Sequence, residues 1–110
     1  MQTTKFDFTI NQGAVCAVEI IALQPDNTPM IFTGYTITAQ LKRNIEDTSP
    51  INFVCSIVDA LNGIVQISLA AATTKLLTEH EYIYDVIAAS GANITRILQG
   101  SIKVSPGVTL

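Results

Sequence analysis

The only histidine of the chain is its most obvious candidate for acid–base chemistry. His80 lies between Glu79 and Glu81, and a neighbouring carboxylate can orient an imidazole as a general base. A general base also needs a nucleophile or a substrate proton within hydrogen-bond reach, and no nucleophile motif accompanies this histidine. We therefore predict a solvated loop histidine, no catalytic residue and no enzyme activity.

Metal and cofactor ligands are also missing in the patterns that their chemistry requires. Glu46 and Asp47 are adjacent acids, but they lack the dense spacing of oxygen ligands in a calcium loop. Cys16 and Cys55 are isolated, so they cannot form a zinc site with one distant histidine. We predict two free thiols that behave as small hydrophobes within apolar strands, no metal, no cofactor and no small-molecule substrate.

Three tyrosines form the remaining group with binding potential, because aromatic rings can stack on sugars. They are Tyr35, Tyr82 and Tyr84. Such rings more often pack partly buried, with a hydrogen-bond partner for the hydroxyl. They are kept as a possible contact surface, either for glycan or for protein.

Length and composition predict a single domain over residues 1–110 and limit its partners. Of the 110 residues, 48% are apolar and only 14% are charged, and the net charge is −3. The six Lys and Arg residues form no basic patch, which argues against nucleic acid as a partner. The longest apolar stretch, 14–23, is too short to span a membrane, and the first residues do not resemble a signal peptide.

Alternating apolar and polar residues, separated by turn residues, predict strands along most of the chain. We expect them at 5–10, 14–23, 35–43, 53–58 and 64–69, followed by a closing hairpin from residue 81. The Ala-rich segment 70–77 predicts a short connector helix, capped by Ser68 and packed through Leu76 and Leu77. The fold class is therefore all-β: an antiparallel immunoglobulin-like β-sandwich of about seven to eight strands with one short connector helix, with a small barrel as the alternative.

The closing hairpin predicts one specific side-chain pair. If Gly91 and Ala92 form its loop, Tyr84 faces Gln99 and Val86 faces Ile97. Asp85 and Arg96 then lie diagonally on one face, within reach of a long side chain. We expect Arg96 to compensate the charge of Asp85, which stands between two isoleucines.

Several of these segments together resemble small virion proteins of tailed bacteriophages. The chain is similar to the N-terminal domain of phage baseplate upper proteins, and to single-domain phage proteins of this length, at 6–13, at 32–43, at 63–73, at 84–86 with Gly91, at 95–100, and at 104–109. Baseplate upper proteins continue into a long stem, whereas this sequence stops at Leu110. Its place on the particle, whether tail, neck or capsid, therefore stays open.

The resemblance implies a structural subunit of the virion, made in the host cytoplasm, with other virion proteins and copies of itself as partners. Symmetric contacts through edge strands and the two chain ends are expected for a repeated subunit. The first expectation is a tail, baseplate or fibre-associated component. The alternatives are a capsid decoration protein that staples capsomers and a free-standing glycan-binding module that uses Tyr82 and Tyr84.

Overall fold

The protein folds mainly into β-structure. A computed structural model describes residues 4–24 and 26–107, with 56% of these residues in β-structure and 4% in helix. The strands are β1 (Thr4–Lys5), β2 (Phe8–Asn11), β3 (Cys16–Ile21), β4 (Thr36–Lys42), β5 (Ile51–Asn52), β6 (Val54–Asp59), β7 (Ile64–Leu69), β8 (Glu81–Ser90) and β9 (Asn93–Ser105), and the helix is α1 (Ala71–Thr74). The described residues thus contain nine strands rather than seven to eight, because the predicted strand 5–10 is split and 51–59 forms two strands.

Sheet A, as we call the larger sheet, has the order β1-β9-β8-β4-β5, and β2 also pairs with β9. Both β1 and β2 run parallel to β9, so the expectation of a purely antiparallel fold is wrong at this edge. Gly100 makes the close approach possible, since a Cβ there would overlap the backbone carbonyl of Phe6. Strands β1 and β2 can therefore both lie alongside β9.

Sheet B, the smaller sheet, has the order β3-β7-β6 and is antiparallel throughout. The predicted turn between β6 and β7 is present, and Gly63 adopts a φ of 67° there. A Cβ at Gly63 would lie 2.6 Å from the carbonyl oxygen of Ala22. Glycine is therefore needed at this position both for the turn and for the loop that follows β3.

The inner faces of both sheets contribute to one buried cluster. The alternation predicted for β4 and β7 is confirmed, because Ile37, Ala39 and Leu41 are buried and so are Val65, Ile67 and Leu69. The other buried apolar residues are Ile10, Ile20, Ala22, Phe32, Phe53, Leu77, Tyr82, Tyr84, Val86, Ala88, Ile97, Leu98, Ile102 and Val104. Each sheet therefore has one dry face, and its other face is directed away from this core.

The register of the closing hairpin differs from the prediction beyond Ile87. The loop is as expected, with Ser90 opposite Asn93 and Ile87 opposite Arg96. A bulge then places Val86 opposite Leu98 and Tyr84 opposite Gly100. Ile97 and Leu98 are both buried, so one extra residue enters the core side of β9 and shifts every later pair by one.

The connector helix is shorter than predicted and is held differently. Its N-cap is Ala70 rather than Ser68, with no side-chain hydrogen bond, and Leu76 is exposed while Leu77 is buried. The fully buried Thr74 hydroxyl accepts a hydrogen bond from Gly13 N at 3.1 Å and lies 2.8 Å from the Ala14 carbonyl oxygen. This threonine links the helix to the turn before β3, which stabilises a helix too short to persist alone.

Candidate interaction surfaces

Two of the three tyrosines proposed as a contact surface lie in the interior. Tyr82 is 4% exposed and Tyr84 5% exposed. Both lie on the inward face of β8, whereas Ile83 and Ile87 lie on its outer face. The Tyr82 hydroxyl accepts hydrogen bonds from the backbone N–H groups of Thr78 and Glu79. These rings cannot stack on a sugar, so the glycan platform built on Tyr82 and Tyr84 is wrong.

Tyr84 instead fastens the edge of sheet A. Its hydroxyl donates a hydrogen bond of 2.5 Å to the Phe6 carbonyl oxygen, and its ring packs edge-on against Phe8. Burial, and secondarily the charge of Asp7, raise the pKa of the Tyr84 hydroxyl. Tyr35 is half-buried and packs edge-on against Phe32, with ring centroids 5.8 Å apart, so it also acts in packing.

The structure contains the ion pair expected between Asp85 and Arg96. Arg96 Nε lies 3.2 Å from Asp85 Oδ2, and both side chains are partly exposed on the outer face of sheet A. The two remain on one face despite the altered register, because the bulge comes after Arg96 along β9. The pair is thus a surface feature and not the compensation of a buried charge.

The polar residues considered for catalysis or metal binding do not converge. His80 is exposed. The Asp47 carboxylate already has hydrogen-bond partners within its own loop. The Asp47 carboxylate accepts hydrogen bonds from Ser49 N at 2.9 Å and from Arg43 N at 3.1 Å. It also forms an ion pair with Arg43 Nε at 3.3 Å. In residues 4–24 and 26–107, no group of three or more His, Cys, Asp or Glu side chains could hold a metal ion.

The two cysteines are free thiols, as expected. Cys16 lies on β3 and Cys55 on β6, and the strand between them is β7. Burial raises the pKa of both thiols. Neither is therefore an activated nucleophile.

The outer face of sheet B is the most unusual surface among the described residues, because large aliphatic side chains are exposed on it beside polar ones. Ile21 is 61% exposed, Val54 69% and Val58 54%. Ile64 lies opposite Ile21 in the ladder, and Glu19, Gln66 and Ser56 form the polar row across the middle. Contiguous exposed aliphatic side chains on a sheet face are a feature of protein contact surfaces.

Further exposed apolar side chains lie near Ile21 and Val58, at the end of sheet B where β6 turns into β7. Leu61 lies in the turn between β6 and β7, and Leu23 and Ile31 lie in the segment that follows β3. Sequence reasoning missed this surface. The available signal was β6 itself, where Val54 and Val58 alternate with Cys55 and Ile57, which makes both faces of the strand apolar.

A groove lies between β3 and β2, at the corner between the sheets. It has a volume of about 430 Å³ and is lined by Phe6, Phe8, Thr9, Ile10, Asn11, Val15, Cys16, Ala17, Val18 and Glu19. Strand β3 pairs only with β7 in the described chain, so its other edge faces this groove. Open strand edges are sites where another chain can add.

Comparison with known proteins adds no assignment to these surfaces. No protein-family model matches the chain, and no curated protein matches it. The described residues include no helix that is long and apolar enough to cross a membrane.

Proposed function

We propose that this protein is a non-enzymatic structural component of a tailed-phage virion, in the tail, baseplate or fibre region, that assembles by protein–protein contacts. The observation that carries the proposal is the uncovered apolar face of sheet B, with Ile21, Val54 and Val58 each more than half exposed. A face of this kind is a poor surface for a free monomer and a suitable one for a subunit.

The residues that resemble phage virion proteins fit this role, because they serve structure rather than chemistry. Gly63 and Gly100 lie where backbones approach too closely for a Cβ. Tyr84 and Asp85 join β8 to neighbouring segments, through the Phe6 carbonyl oxygen and through Arg96 on β9. The segment 104–109 ends outside the described residues. Because the inner faces of the two sheets share one buried cluster, we further propose that they form an immunoglobulin-like β-sandwich, the fold predicted from the strand pattern.

Capsid decoration is the second candidate within the same class. A protein that staples capsomers also needs an exposed apolar contact face, so the surface of sheet B supports it equally. Only binding to separated particles distinguishes the two positions. A glycan-binding module has no support from the tyrosines, since Tyr82 and Tyr84 are buried.

Co-sedimentation with tails and with stripped capsids, prepared separately from the phage that encodes the chain, tests this function. We expect the purified protein to pellet with tails, whereas binding to capsids alone would support decoration. Val58→Lys places a charge on the sheet B face and should reduce binding. Ile45→Lys is the matched control, because Ile45 is 80% exposed in the loop after β4. A folded protein that pellets with neither particle would overturn the proposal.

A further inference from the structure

The charges of the two outer faces are of opposite sign. The three strands of sheet B contain two carboxylates, Glu19 and Asp59, and no Lys or Arg. Glu19 is exposed in the polar row at the centre of the face. Asp59 lies opposite Ile64 at the end of the ladder. The sheet B face therefore combines exposed aliphatic side chains with negative charge.

The outer face of sheet A has a small excess of positive charge. Its strands carry the cations Lys5, Lys42, Arg96 and Lys103 against the carboxylates Glu81 and Asp85. The cations remain in excess when Asp7, which accepts a hydrogen bond from Ser101 N beside these strands, is counted. Aliphatic side chains also lie on this face, namely Ile83, Ile87 and the 69% exposed Ile94.

We propose that the outer face of sheet B binds the outer face of sheet A of a second copy of this chain. This inference rests on the proposed function as an assembling subunit and names its partner. Aliphatic residues would meet aliphatic residues, while Glu19 would lie over a face with excess Lys and Arg. Like charges across a contact are strongly unfavourable, so the same rule disfavours sheet B against sheet B.

The symmetry of the contact follows from the position of the two faces. They belong to different sheets of one chain and both are directed away from the shared core. When the sheet B face of one copy binds the sheet A face of another, the first copy still has a free sheet A face and the second a free sheet B face. It therefore continues from copy to copy and closes into a ring or extends as a column. A ring fits a subunit that is repeated around a phage particle.

The size of the face indicates how strong a single contact is. Three strands of about 4.8 Å spacing and six residues of about 3.3 Å rise cover roughly 300 Å² per copy. Stable protein pairs bury about 800 Å² per partner. A single contact is consequently weak, and ring closure or attachment to the particle supplies the remaining affinity. The measurement therefore requires high protein concentration.

Exchange of the charges of the two faces tests the proposal by sedimentation equilibrium of the full chain. Glu19→Lys with Ser56→Lys makes the sheet B face positive, and Lys42→Glu with Lys103→Gln makes the sheet A face negative. The wild type should self-associate with rising concentration, and each variant alone should do so at least about tenfold more weakly. An equimolar mixture of the two variants should recover association, because the altered sheet B face of the first variant is complementary to the altered sheet A face of the second, and the two unaltered faces also remain complementary.

Controls separate this contact from general charge effects and from misfolding. Glu46→Lys with Thr48→Lys introduces the same charge change in the exposed loop after β4 and should leave association unchanged. Wild-type association should also weaken as salt is raised from about 0.05 M to 0.5 M, a result that needs no variant. A wild type that stays monomeric, association that ignores salt, or folded variants whose mixture does not pair would each overturn the proposal.

The outcome is independent of the test for the proposed function. A protein that pellets with tails but does not self-associate refutes this contact and leaves the virion role intact. A protein that self-associates through these faces but binds no particle refutes the virion role and leaves the contact intact.

Discussion

Polar side chains join neighbouring strands in sheet A, while sheet B is held by its backbone ladder and its buried face. In sheet A, Gln40 Nε2 donates to Asn52 Oδ1 at 2.8 Å between β4 and β5, and Arg96 pairs with Asp85 between β9 and β8. Within the described residues of sheet B, no side-chain hydrogen bond or ion pair joins two of its strands. Side chains therefore link neighbouring strands across the outer face of sheet A, whereas in the described part of sheet B the backbone and the buried side chains do this alone.

The largest expected effect comes from the buried face of sheet B. Ile67→Ala should lower the free energy of unfolding by about 2–5 kcal/mol, because it leaves a cavity at a fully buried site. Ile21→Ala on the outer face of the same sheet should change it by less than about 0.5 kcal/mol. Urea unfolding followed by circular dichroism, at low protein concentration, measures both. Equal losses would show that the outer face is as well packed as the inner one.

The next largest effect is expected at the edge of sheet A where β1 and β2 run parallel to β9. Gly100→Ala should destabilise by about 1–3 kcal/mol, since the new methyl group meets the carbonyl group of Phe6. Hydrogen exchange should accelerate at the Phe6 amide, which donates to the Gln99 carbonyl oxygen at 2.8 Å. The neighbouring Gln99→Ala is the control, as it keeps the backbone and removes an exposed side chain. A Gly100→Ala protein with wild-type exchange at Phe6 would contradict the close approach.

The hydroxyl of Tyr84 tests whether a side chain holds that edge. Tyr84→Phe removes the hydrogen bond to the Phe6 carbonyl oxygen and should cost about 0.5–1.5 kcal/mol. Tyr35→Phe is the matched control, because the Tyr35 hydroxyl has no hydrogen bond to any described residue. If the two substitutions cost the same in urea unfolding, the edge of sheet A depends on its backbone alone, as sheet B does.

The strands that sequence predicted best are those with one polar face and one apolar face. In β4, threonine and glutamine alternate with apolar residues. This alternation predicted both the strand and which of its faces is buried. In β8 both faces contain large apolar residues, and the pattern did not show that Tyr82 and Tyr84 turn inward. Asp85 was the informative residue, because a carboxylate marks the outer face and thereby assigns its neighbours to the core.

The features that sequence could not reveal depend on contacts between distant segments. Ile97 and Leu98 are both apolar, so a bulge between them leaves no trace in the alternation. The parallel pairing of β1 and β2 with β9 joins the two ends of the described chain, and no turn residue marks it. The Thr74 hydroxyl also acts across more than fifty positions, which no local pattern encodes.

A smaller effect is expected from the ion pair on the outer face of sheet A. A double-mutant cycle with Asp85→Asn and Arg96→Gln should give a coupling free energy of about 0–1 kcal/mol, because both side chains are partly exposed. The coupling should decrease as salt is raised. A coupling of several kcal/mol that is insensitive to salt would mean that the outer face of sheet A is screened from water in solution.

The smallest effect concerns the loop after β4, which the Asp47 side chain holds through hydrogen bonds to Arg43 and Ser49. Hydrogen bonds from Ser49 N and Arg43 N, with the Arg43 side chain third, lower the pKa of Asp47 from 3.8 to about 2. Since the folded state favours the ionised carboxylate, its contribution to stability is present above pH 3.8 and is lost as the pH falls towards 2.

A carboxyl titration followed by NMR measures the pKa of Asp47 directly. Asp47→Asn should flatten the pH dependence of stability in that window, and Arg43→Gln should leave most of the pKa depression, because the largest cause is the Ser49 amide. If Arg43→Gln restored an ordinary pKa, the ion pair rather than the backbone amides would be what orders this loop.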